Sequence, residues 1–199
     1  MKKLAVLLSI LLLALSACDS DNKVTIQAIS DNDSLNQPSI SSYKWNFKSG
    51  AIIRSTAVVD ENKVYFGNHR GDLYALNKAS GEVIWQKNFS SSIEGSLLLT
   101  DDMLVFSTIS HGILAVNVSD GETTWNLPLE KQLKKDQWDY FLSSATRYQD
   151  EIFIGSSDGF IRSLNISTGK ETWSYDVTYR IHSKPLVYQD KLYFSTVNA

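Results

Sequence analysis

Residues 71–89 read GDLYALNKASGEVIWQKNF. Two short runs of alternating apolar and polar residues, DLYAL and EVIWQ, flank Asn77 to Gly81. That connecting stretch has the chemistry of a turn, in which Gly supplies positive φ at low steric cost and Asn hydrogen-bonds locally. The arrangement returns twice: ALNKASGEVIW at 75–85 becomes AVNVSDGETTW at 115–125 and SLNISTGKETW at 163–173. In each copy a small residue is followed two places on by Asn (Asn77, Asn117, Asn165). Four further comes Gly (Gly81, Gly121, Gly169), and four further Trp (Trp85, Trp125, Trp173). Trp45, in YKWNF, is a fourth occurrence without its first half, so the tryptophans fall at intervals of 40, 40 and 48. Self-similarity at this period is the signature of a stacked repeat.

Each period divides into four short strands. In the first they are STAVV (55–59), KVYFG (63–67), DLYAL (72–76) and EVIWQ (82–86), rich in β-branched and aromatic residues and separated by turn residues. No stretch outside the N-terminal leader sustains a helical period. About 40 residues with four strands is the size of one β-propeller blade. A single four-stranded sheet cannot cover both of its faces, so blades stack and share a core. A Trp recurring once per blade fits the wedge between neighbours, because its side chain buries roughly 150 to 250 Å². The fold expected is therefore all-β: a propeller of four-stranded antiparallel blades over residues 43–199, with about three complete blades and partial blades at either end. The last strands read are KPLVY (184–188) and KLYFS (191–195). An incomplete ring leaves open edges and apolar blade faces, so the chain is expected to be the N-terminal part of a longer propeller or a truncated reading frame.

The leader, MKKLAVLLSILLLALSAC, has two lysines, an apolar run from Leu4 to Leu15 and then small residues up to Cys18, the pattern of an export signal. The run falls short of the roughly 20 apolar residues of a membrane span. Leu15-Ser16-Ala17-Cys18 resembles the lipobox of bacterial lipoproteins, in which the signal is cut before a Cys that becomes acylated. Cys18 is the only cysteine, so no intrachain disulfide can form. The resulting division is a signal over 1–17, a lipidated Cys18 with a polar tether over 18–42, and the repeats. A tether of this length reaches about 25 to 30 Å, and two or more acyl chains anchor a protein stably. The expected location is the bacterial cell envelope, lipid-anchored with the propeller in the periplasm. Asp19 after Cys18 resembles the inner-membrane retention signal of enteric bacteria, which leaves the choice between inner and outer membrane open. A net charge of −3 and a pI near 5.6 supply no basic footprint for nucleic acid.

The repeated A/S-x-N-x-x-S/T/D-G-E/K-x-x-W pattern resembles the tryptophan-docking repeat of propellers of the pyrroloquinoline-quinone (PQQ) type. That family includes quinoprotein dehydrogenases and non-enzymatic envelope lipoproteins, and the chain is closest in type to the BamB lipoproteins of outer-membrane protein assembly. The resemblance implies structural docking roles for Trp45, Trp85, Trp125 and Trp173 and for Gly81, Gly121 and Gly169. Each Trp would stack between its own repeat's small residue (Ala75, Ala115 or Ser163) and the backbone near the next repeat's Gly. It also implies partners among the envelope proteins, the outer-membrane assembly machinery included.

Chemistry beyond the repeat is sparse. The clusters at 60–62, 100–102, 149–151 and 189–191 are read as the first hairpin turn of each blade rather than as metal sites. His69, His111 and His182 lie in different blades without ligand spacing, and no triad, metal or cofactor site is assigned. An adjacent-Cys disulfide, found in many alcohol-oxidising quinoproteins, is impossible here. One segment breaks the period: PLEKQLKKDQWDYF (128–141), eight residues longer than its counterparts. It carries Lys131, Lys134, Lys135, Trp138 and Tyr140, residue types that anchor interfaces when set on a loop over a rigid scaffold. The expected function is a membrane-anchored, non-enzymatic scaffold for protein–protein contacts. The alternatives are a fragment of a PQQ-dependent dehydrogenase and a ligand-sensing propeller.

Overall fold

The computed structural model describes residues 45–129 and 142–197. Within them β-strands form three four-stranded antiparallel sheets in simple up-and-down order. The first holds β1 (Val58–Val59), β2 (Lys63–Gly67), β3 (Asp72–Asn77) and β4 (Val83–Asn88). The second holds β5 (Leu98–Leu99), β6 (Met103–Thr108), β7 (Gly112–Asn117) and β8 (Thr123–Leu127). The third holds β9 (Thr146–Tyr148), β10 (Glu151–Gly155), β11 (Phe160–Asn165) and β12 (Glu171–Asp176). A two-stranded sheet of β13 (Leu186–Tyr188) and β14 (Lys191–Tyr193) follows. No helix occurs among the described residues. The architecture is the all-β blade array that the repeat implies, with open ends.

Stacking explains why the middle strands are apolar on both faces. Tyr65, Leu73 and Ala75 of the first sheet meet Leu104, Phe106, Leu114 and Val116 of the second, in one core. The alternate residues Met103, Val105, Ile113 and Ala115 turn the other way and meet Ile152, Ile154 and Leu164 of the third. Successive side chains of a strand point to opposite faces, so each blade serves two cores at once. The face of the first sheet turned away from the second is covered by Trp45 and Phe47, packed on Phe66, Tyr74 and Leu76.

Several strands are shorter than their alternation suggests, for one repeated reason. Ser55 was expected to begin a strand, but its hydroxyl donates to Gly67 O (2.8 Å) and accepts from Gly67 N–H (3.0 Å). Ser183 does the same with Ser195, at 3.1 and 2.9 Å. Both clamps close a 12-residue loop and hold the chain entering a blade against the end of its second strand. The backbone at Gly67 and Ser195 is thereby bonded to a hydroxyl rather than to a first strand, which limits β1 and β13. The pairing of third and fourth strands slips at one equivalent place in each of the three described four-stranded sheets, between Ala75/Leu76, Ala115/Val116 and Ser163/Leu164. Such a bulge bends the outer strand and re-aims its side chains.

Candidate functional site

Trp45, Trp85 and Trp125 share one geometry. Each indole Nε1–H donates to the carbonyl of the residue after a turn Asn in the next blade: Lys78 (2.9 Å), Val118 (3.0 Å) and Ile166 (2.9 Å). Each ring lies on that blade's turn glycine. A Cβ on Gly81 would fall 2.5 Å from the Trp45 ring and one on Gly121 2.9 Å from Trp85, and one on Gly169 would overlap Trp125 outright. Gly81 and Gly169 also hold φ of +76° and +66°, a region that disfavours any residue with a Cβ. Within its own blade each later Trp stands opposite the small residue, Trp85 against Ala75, Trp125 against Ala115 and Trp173 against Ser163. Trp173 differs in being 40% exposed, its ring tilted on Phe153 at 5.8 Å. Docking consumes the indoles of Trp45, Trp85 and Trp125, so surface chemistry is left to the loops.

A second repeated contact is not anticipated by the strand pattern. Ile93 sits against Gly67 of the preceding blade and Ile181 against Gly155, so closely that an added Cβ on either glycine would overlap the isoleucine side chain. A trace exists in IRS (53–55), IEG (93–95), FLS (141–143) and IHS (181–183), at the spacing of the blades. Short triplets with one apolar residue at their head resemble ordinary loop residues, and only the tertiary contact distinguishes them.

The turns between second and third strands lie at the same end of each blade as the connections between blades, and polar side chains gather there. In the first blade the buried Asp72 accepts from Asn68 Nδ2 (3.0 Å), Gln86 Nε2 (3.2 Å) and Asn88 Nδ2 (2.7 Å). Burial raises the carboxyl's pKa, but these bonds and the nearby Arg70 charge outweigh it and hold Asp72 below the ordinary carboxylate value. Beside it, His69 Nδ1 lies 2.8 Å from Glu94 Oε1, and Ser92 Oγ donates to the same oxygen at 2.7 Å. The Glu94 side chain is enclosed and its Oε2 has no partner among the described residues. Ser92 and Glu94 both approach Nδ1, whereas a serine–histidine–acid relay needs them on opposite ring nitrogens. In the third blade Arg162 is buried and forks onto Asp158, with Nη1–Oδ1 at 2.9 Å and Nη2–Oδ2 at 2.5 Å, while Nε donates to Glu171 at 3.1 Å. These contacts order the loop end of the scaffold.

Of the residues singled out from sequence, Cys18, Lys131, Lys134, Lys135, Trp138 and Tyr140 lie outside the described residues. The segment 128–141 joins β8 to β9, a connection between blades. His182 lies in the connection before β13. Asp60, in one of the acidic turns, caps its own hairpin, accepting the N–H groups of Asn62 (2.7 Å) and Lys63 (2.6 Å). Among the described residues no group of three His, Cys, Asp or Glu side chains is placed to hold a metal ion.

A family model described as outer membrane protein assembly factor BamB matches residues 23–199. The BamB of Shewanella oneidensis is 25% identical over 181 residues, covering 82% of this chain and 44% of that protein. A polyvinylalcohol dehydrogenase of a Sphingopyxis species is 30% identical over 131 residues, covering 55% of this chain and 20% of the enzyme. The crystal structure of BamB from Moraxella catarrhalis superposes with a TM-score of 0.68 at 20% identity, covering 76% of this chain and 49% of that one. The chain thus spans less than half the length of these relatives.

Proposed function

The chain belongs to the family of the outer membrane protein assembly factor BamB, and on that premise we propose that it is a lipid-anchored, non-enzymatic scaffold which holds other proteins of the bacterial cell envelope. In this reading Cys18 carries the lipid, residues 19–42 are the tether, and the blades present their loop end to partners of the outer-membrane assembly machinery in the periplasm. Lys131, Lys134, Lys135, Trp138 and Tyr140 form the contact loop. The family match over 23–199 carries the proposal. The similarity to the BamB of Shewanella oneidensis over 82% of this chain supports it further.

The test expresses the chain with its own leader and follows three readouts. Cys18→Ala should release it from membranes, density-gradient fractionation should place the anchored form, and crosslinking should capture assembly-machinery proteins with the wild type but not with Lys134→Ala/Trp138→Ala. Retention of the Cys18→Ala protein on membranes would remove the anchor, and equal capture by both forms would remove the loop. The similarity to polyvinylalcohol dehydrogenase favours one other reading, a portion of a PQQ-dependent enzyme. Titration with PQQ and Ca²⁺ discriminates between them, since a saturable change in quinone absorbance is expected only for the enzyme.

A further inference from the structure

The outer strands of the three complete blades correspond residue by residue, and they differ at the rim. Val83, Ile84, Gln86 and Asn88 of the first blade match Thr123, Thr124, Asn126 and Pro128 of the second and Glu171, Thr172, Ser174 and Asp176 of the third. Thr123 and Thr124 are exposed although the second blade is packed on both faces. Exposure at these two positions is therefore a property of the outer strand and does not depend on an absent neighbour. Val83 and Ile84, 46% and 45% exposed, set an apolar pair where the other blades carry threonine or a carboxylate.

Hydrogen bonding along a strand alternates between its two sides. Phe89 donates its N–H to the Gly71 carbonyl, and Lys87 and Trp85 follow at two-residue intervals opposite Leu73 and Ala75, so the backbone groups of Gln86 and Asn88 point away from β3. Among the described residues β4 pairs only with β3. Proteins guard such edges against other chains with proline or charge. β8 runs into Pro128, which has no N–H to offer at the position of Asn88. β12 begins and ends on the exposed carboxylates of Glu171 and Asp176. β4 has neither guard: Lys87 is paired with Glu122 of the second blade, and Asn88 turns its Nδ2 inward onto Asp72 and the Arg70 carbonyl.

The two ends of this edge differ in charge. Glu82 is exposed just before β4 begins, and Arg70, its side chain 66% exposed, stands beside Asn88 where β4 ends. The Asp72 carboxylate, 3.8 Å from Arg70 Nε, is already held by the amides of Asn68, Gln86 and Asn88. We propose that the outer edge of β4 accepts, by strand addition, an extended segment of another polypeptide laid antiparallel. That segment is acidic at its start, against Arg70, uncharged in its middle, β-branched and apolar opposite Ile84 and Val83, and basic opposite Glu82. Main-chain hydrogen bonds to Gln86 and Asn88 supply affinity in this mode, and cross-strand pairs of apolar and of opposite-charge side chains supply selectivity. The inference rests on the scaffold reading above and names the chemistry of one segment that the scaffold holds.

The experiment measures fluorescence polarisation of labelled peptides added to the whole chain. The peptide DETTIVK, which sets its Ile and Val opposite Ile84 and Val83, should bind saturably. DETTSSK, without the apolar pair, and KKTTIVE, with the end charges exchanged, should each bind at least about fivefold more weakly, the size of effect expected when two cross-strand pairs are lost. In the protein, Ile84→Lys guards the edge with a charge and should weaken DETTIVK by a similar factor. Thr124→Lys, at the same position of β8, should leave its binding unchanged. A far-UV spectrum and melting temperature matching the wild type show that these variants are folded. Should Ile84→Lys unfold, Val83→Thr/Ile84→Thr, which copies the residues of β8, tests the same edge. Failure of DETTIVK to bind, its binding no more tightly than either control peptide, or its equal binding to wild type and a folded β4 variant overturns the proposal. An equal loss in Thr124→Lys and Ile84→Lys overturns it as well. The Lys134→Ala/Trp138→Ala variant should bind the peptide as the wild type does even where it loses envelope-protein capture, so the two readings fail separately.

Discussion

Trp125→Ala should destabilise the protein far more than Trp173→Ala, although the two residues occupy the same position in their repeats. Trp125 is 8% exposed, its ring lies on Gly169, and its Nε1–H donates to the Ile166 carbonyl at 2.9 Å. Truncating a buried Trp costs about 3 to 5 kcal/mol, and a buried carbonyl left without a donor adds about 1 to 3 kcal/mol. Trp173 is 40% exposed, and the described part of the following sheet, β13 and β14, offers no turn between third and fourth strands for it to dock on. Its truncation should therefore cost only about 1 to 2 kcal/mol, the partial loss of a side chain already in contact with water. The gap is at least about 2 kcal/mol, and with a urea dependence of about 2 kcal/mol per molar it separates the unfolding midpoints by about 1 M or more. Urea titrations followed by far-UV circular dichroism read this directly. Coincident midpoints for the two variants would refute the view that docking on the next blade, rather than the Trp itself, supplies the stability.

Three further outcomes follow from the same contacts. Gly121→Ala places a Cβ 2.9 Å from the Trp85 ring at φ +74°. It should lower the melting temperature by several degrees, a loss of about 1 to 3 kcal/mol, while Gly50→Ala, with nothing within 4 Å, keeps the backbone strain without the collision and should lose less. Arg162→Ala leaves Asp158 buried without its ion-pair partner and should cost about 3 to 5 kcal/mol, whereas the double change Arg162→Met/Asp158→Leu should recover most of it, as chemical denaturation would show. The folded-state pKa of Asp72 lies below its ordinary 3.8, so the unfolded chain binds the proton first on acidification. The stabilisation is complete above the unfolded pKa and disappears as pH falls through the folded one. Asp72→Asn should accordingly flatten the decline in melting temperature below about pH 4, and an unchanged slope would exclude Asp72 as a contributor.

Local patterning determined the blades. Alternation in DLYALN and VIWQKN, and the Asn-to-Gly turn between them, depend only on neighbours in the chain, so strand order, the hairpins and the period were all readable, and with them the family. What converges from separate blades was not readable. Glu94 is a charged residue in a connection and reads as solvated, yet its side chain is enclosed beside His69, 25 residues away. Arg162 stands where the first blade has Tyr74, and only the placement of Asp158 and Glu171 around it explains a buried guanidinium. The serine clamps and the isoleucines seated on Gly67 and Gly155 did leave a periodic trace, but short triplets in loops carry no hydrophobic period of their own. Trp125 and Trp173 show the division most plainly. Their sequence contexts, GETTW and GKETW, are nearly the same and predict the same wedge, while burial depends on whether a neighbouring blade brings a glycine turn and a carbonyl to meet the ring. A repeat specifies what each blade offers to the next, and the tertiary structure decides which offers are taken, because docking is a contact between two blades and is encoded in neither alone.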